Sequence, residues 1–79
     1  MRFRKIATIE AEQFLPNENK IPDGVISSSI GHWVIDTLEG RMTVNNGDWI
    51  ATGVDGEKWA IKQDIFNRTY EPVEDYYPY

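Results

Sequence analysis

The 79 residues carry eight basic and thirteen acidic side chains, a net charge of −5 with the single histidine neutral, and no cysteine. That composition excludes a disulfide framework, a thiolate nucleophile and a cysteine zinc site, and it opposes the counterion release that drives most nucleic-acid binding. A single domain of this size lies near the limit at which an apolar core alone outweighs chain entropy, so self-association as a homo-oligomer is an open route to further burial.

No apolar run is long enough to span a bilayer, and the opening Met-Arg-Phe-Arg-Lys lacks the apolar stretch of a signal peptide. The expectation is a chain at home in a reducing cytoplasm, with no membrane contact.

Residues 2–14 (RFRKIATIEAEQF) begin basic and aromatic and then alternate. Ile6, Thr8 and Glu10 fall on one side and Ala7, Ile9 and Ala11 on the other, the period of a strand. Residues 15–24 (LPNENKIPDG) hold two prolines, two asparagines and a Pro-Asp-Gly turn, and read as a loop crossing one end of a sheet. A short strand with solvent-facing serines follows in residues 25–31.

Residues 32–62 dominate the pattern. Glu39-Gly40, Asn46-Gly47 and Asp55-Gly56 separate runs rich in β-branched and aromatic residues, the local signature of consecutive hairpins. Four strands are expected there, over residues 33–38, 41–45, 48–54 and 57–62, with Asn46-Gly47 setting the register of the second reversal. In residues 63–67 a single helical turn is expected, capped by Asp64, with Ile65 and Phe66 plugging an open end of the sheet. Residues 68–71 suggest a last short strand, and the acidic, aromatic stretch after it a loose tail. The fold class is thus mainly β: a small antiparallel meander or partly closed barrel of five to six strands, with a short helical turn near Asp64. Residues 1–71 form one β-rich domain and residues 72–79 the tail.

The run TLEG-x-M-x-V-x-x-GDWI-x-x-GV-x-GE, residues 37–57, followed by K-x-DIF-x-x-TYEP, residues 62–72, resembles a family of small uncharacterised proteins encoded in bacteriophage and prophage genomes. The opening RFRK…IEAEQF is similar to that family's start, and the likeness covers most of the chain apart from residues 15–31. Asn46 and Gln63 stand where the family usually or often has proline, and Ala60 or Ile61 where a cysteine is common. The resemblance implies a viral origin and a host bacterial cytoplasm, and it carries no activity with it.

Chemistry is sparse. His32 has no partner residues at ligand or catalytic spacing, so a surface histidine is the plainer account. Ser27-Ser28-Ser29 lacks a nucleophile elbow, and an exposed polar strand explains it better than a hydrolytic site. The carboxylates form neither a calcium loop nor a spaced pair, and Asp48 and Asp55, beside turn glycines, read as turn caps. The chain is therefore expected to be no enzyme and to need neither cofactor nor metal.

Three tryptophans, four tyrosines and three phenylalanines are many for this length. Trp33 and Trp59 fit the core, whereas Trp49 points with Ala51, away from the side holding Ile50 and Val54. An outward aromatic is the residue type that anchors protein interfaces, so Trp49 is a candidate binding residue; alternatively it covers the second side of a closed barrel. Arg41, Lys58 and Lys62, on outward strand positions, are candidates for phosphate contact. Four roles follow: binding a host or phage macromolecule, sequestering a nucleotide signal between subunits, mimicking nucleic acid through the carboxylates, or forming part of the virion.

Overall fold

The computed structural model describes residues 1–4 and 8–73. Among them six strands form two antiparallel three-stranded sheets, and one short helix follows. The strands are β1 (Glu10–Gln13), β2 (Val25–Ser27), β3 (Trp33–Thr37), β4 (Gly40–Val44), β5 (Trp49–Thr52) and β6 (Lys58–Ile61), and the helix is α1 (Gln63–Thr69). The first sheet has the order β1-β5-β6 and the second β2-β3-β4, so the fold is mainly β and meander-like, without a closed barrel.

The strands expected between residues 32 and 62 all form, but they do not make one sheet. β4 and β5 do not pair with each other, and the chain changes sheet at Asn46-Gly47. A tight hairpin there would need positive φ at Asn46, in a type I′ or II′ turn. Only Gly47, at +92°, has it, and Asp48 N–H donates to Asn45 O at 2.9 Å, the pattern of a type II turn. Phe14 takes the place that β4 would have held. Gly47 N–H donates to Phe14 O (2.8 Å) and Phe14 N–H donates to Asp48 O (2.7 Å), so two residues of one strand oppose one of the other. This is a β-bulge that begins with glycine, a device that bends a strand and re-aims its partner.

The facing surfaces of the two sheets make the core from Phe14, Val25, Ile35, Val44 and Ile50, with Trp33 and Ala60 packed against it. Phe14 and Ile35 are the largest fully buried side chains, and the Trp33 ring meets Phe14 edge-on at 5.3 Å. Trp59 differs from expectation. It pairs with Ala51, while Ala60 pairs with Ile50, so the core-facing residue of β6 is the small Ala60 and Trp59 stands on the opposite face.

The end of the chain also differs. α1 runs to Thr69, so the helical segment is longer than one turn and replaces the strand expected in residues 68–71. The residue at its N-cap is Lys62, with no side-chain cap of its own; Asp64 lies inside the first turn. The first strand, expected within residues 2–14, forms only as Glu10–Gln13, and residues 1–4, 8 and 9 are not strand; its residues 5–7, and most of the tail at residues 74–79, lie outside the described residues. Among the described residues no helix is long and apolar enough to cross a membrane.

Candidate functional site

The face of the first sheet turned away from the core carries Trp49, Ala51, Trp59 and Ile61, since each is paired across β5 and β6 or lies one residue from a core position. α1 lies over part of it. The Phe66 ring stacks on Trp49 at 4.2 Å with the planes 8° apart, and Tyr70 stacks on Phe66 at 5.0 Å and 16°. Positions four apart share one side of a helix, so Phe66 and Tyr70 continue a single aromatic column that starts at Trp49. Its outer end is accessible, because Tyr70 is 39% exposed.

Asp48 fixes this column. Its carboxylate is buried and accepts two backbone N–H groups, from Asn45 (Oδ2, 2.9 Å) and from Gln63 (Oδ1, 3.3 Å). The second bond supplies from a distant turn the N-terminal acceptor that the helix's own N-cap residue lacks, and a carboxylate there also opposes the helix dipole. Gln13 Nε2 donates to Gly47 O at 3.0 Å, so β1, the turn and α1 are tied at one point. Asp48 is thus a turn cap, as expected, with a second role; Asp55 is exposed and makes no side-chain hydrogen bond among the described residues.

Beside this face an open groove of about 500 Å3 runs between β1 and the loop that follows it, lined by Ala11, Gln13, Leu15, Lys20, Pro22 and Trp49. Trp49 Nε1 is buried without a hydrogen-bond acceptor among the described residues.

The other candidate residues are dispersed. Arg41 lies on β4 in the second sheet, where its guanidinium holds Asp36 through Nε–Oδ1 (2.8 Å) and Nη2–Oδ2 (3.3 Å). That hydrogen bond lowers the Asp36 pKa below the usual aspartate value and raises that of Arg41. Lys58, on the first sheet, donates to Thr52 Oγ1 at 2.7 Å, and Lys62 is the exposed residue before α1. Two of the three cations are therefore engaged within the chain, and Arg41 belongs to a different sheet from Lys58.

The serine run and His32 meet through the main chain. Ser28 Oγ accepts the His32 N–H at 3.2 Å and Ser28 N–H donates to His32 O at 2.6 Å, which closes the loop between β2 and β3. Among the described residues no three His, Cys, Asp or Glu side chains gather in a metal-binding group.

Sequence reasoning placed Trp49 correctly on the outer face and missed what covers it. Phe66 covers that face, rather than plugging an end of the sheet, and Ile65 remains exposed. The i, i+4 spacing of Phe66 and Tyr70 was the available signal, hidden by reading residues 68–71 as a strand. The chain matches no protein-family model, no curated protein and no solved structure.

Proposed function

We propose that this chain is a non-enzymatic accessory protein of a bacteriophage or prophage, working in the host cytoplasm by binding a host or phage macromolecule. The observation that supports this reading best is the aromatic column Trp49, Phe66 and Tyr70, braced by Asp48 and open at Tyr70. A rigid aromatic presented at low entropic cost is the usual anchor of a protein interface. The motifs GDWI and DIF-x-x-TYE, which carry the resemblance to the phage family, are the same residues that build the column.

A photo-crosslinking side chain at position 70, used in host lysate and in phage-infected cells, tests this. The expected result is one dominant crosslinked partner whose binding falls roughly thirtyfold or more in Tyr70→Ala, the loss of a hot-spot aromatic. Recovery of no partner from either source would count against the proposal.

The groove favours a second reading, the capture of a small nucleotide-type signal. Its volume falls within the range of about 300–1,000 Å3 typical of ligand sites, with Lys20 and Trp49 both on its wall. A thermal-shift panel of mononucleotides and cyclic dinucleotides would show a raised midpoint if this holds, because a ligand of the native state stabilises by mass action. The net charge of −5 weighs against phosphate ligands.

A further inference from the structure

Among the described residues β1 is an edge strand with no partner on its outer side. It pairs with β5 alone, and Phe14, directly after it, turns both its N–H and C=O toward the bulge at Gly47 and Asp48. Backbone groups alternate along an antiparallel strand, so Glu12 and Glu10 bond to β5 while the N–H and C=O of Ala11 and Gln13 point off the sheet. Beyond that edge lies the groove already described, with Glu12 on its wall. An unpaired strand edge of this kind is a template for another strand.

The chain carries a segment whose pattern fits. Met1, Arg2, Phe3 and Arg4 are all exposed, Phe3 at 89% and Met1 at 110%. An apolar residue between two arginines is a strand pattern with one charged and one apolar side. Glu10 and Glu12 are exposed on β1 and flank the small Ala11.

We propose that two copies of this chain form a symmetric dimer in which residues 1–4 of each add as a strand to the free edge of β1 in the other. In the antiparallel register that sets Phe3 opposite Ala11, Arg2 faces Glu12 and Arg4 faces Glu10. The backbone groups of Ala11 and Gln13 then meet those of Phe3 and Met1. The phase is right on both counts: Ala11 and Gln13 are the residues with outward backbone groups, and Arg2 and Arg4 fall on the side of the sheet that carries the glutamates. Phe3 falls on the other side, against the partly exposed Ala11, whose small side chain leaves room for a ring. Each copy gives an arm and receives one, so the contact is isologous and closes at two copies. The dimer does not depend on the aromatic column or on a partner at Tyr70.

Light scattering coupled to size exclusion over a range of concentrations, on the full chain, tests this. The wild type should run as a dimer. R2E/R4E and E10R/E12R each place like charges opposite one another at both ends of the contact, so each alone should shift to monomer with a dissociation constant raised roughly tenfold or more. An equimolar mixture of the two variants should recover a one-to-one heterodimer, since each acidic arm then meets a basic edge and each basic arm an acidic edge. All four positions are exposed, and far-UV circular dichroism of each variant checks that the fold is retained. A monomeric wild type at every concentration, a dimer that both variants preserve, or a mixture that stays monomeric would overturn the proposal.

Discussion

Asp48 shows how much one side chain can organise in a small domain. It holds the type II turn through Asn45 and the start of α1 through Gln63, both by hydrogen bonds to a buried carboxylate. Removing an acceptor from buried N–H groups costs more than the bond itself contributes, so Asp48→Ala should lower the free energy of unfolding by about 1–3 kcal/mol in urea titration. Asp55→Ala, at an exposed turn position, should stay within about 0.5 kcal/mol of wild type. Equal losses would mean that Asp48 matters only as a turn residue. Asp36 behaves differently, because its partner Arg41 is on the surface. Its folded-state pKa is depressed chiefly by the Arg41 hydrogen bond, so the pair's small contribution is present above the unfolded-state value and is lost as the pH falls through the folded one. Carboxyl NMR titration should give Asp36 a midpoint below that of an ordinary aspartate, and Arg41→Gln should raise it.

At the scale of elements, α1 is too short to persist by propensity. Its seven residues are held by the Asp48 bond at one end and the Phe66 ring on Trp49 in the middle. Phe66→Ala should therefore release the whole helix, seen as loss of amide protection across residues 63–69. The half-buried ring should cost about 2 kcal/mol, less than the loss of about 3–5 kcal/mol for a fully buried phenylalanine. Phe66→Leu, which keeps apolar bulk without the ring stack, should retain most of the protection. The hairpins are more self-sufficient. Thr37 Oγ1 accepts Glu39 N–H (3.1 Å) and donates to Gly40 O (2.7 Å), so the β3–β4 turn closes from residues within it.

For the molecule as a whole, the decisive contact is between the two sheets. Phe14 and Ile35 come from different sheets and are both 1% exposed at the centre of a core of few side chains. Phe14→Ala should cost about 3–5 kcal/mol, most of the stability expected of so small a domain. Calorimetry should show the cooperative transition shifted strongly down or lost, whereas Ile26→Ala, at a position 47% exposed, should leave it near the wild-type midpoint.

What the sequence by itself determined was local. Period-two alternation and the turn dipeptides located β3, β4, β5 and β6 to within a few residues, because side-chain direction and glycine conformation act over neighbouring positions. It also set Trp49 on the face opposite Ile50. The tertiary structure alone decided which strands pair. Phe14, far away in the chain, competes successfully for the backbone of Gly47 and Asp48, and its burial between the sheets offsets the loss of a continuous hairpin from β4 to β5. That choice divides one expected meander into two sheets and leaves Asp48 placed to cap a distant helix. None of it is written in the spacing of adjacent residues, because burial energy is gained between segments that the sequence keeps apart.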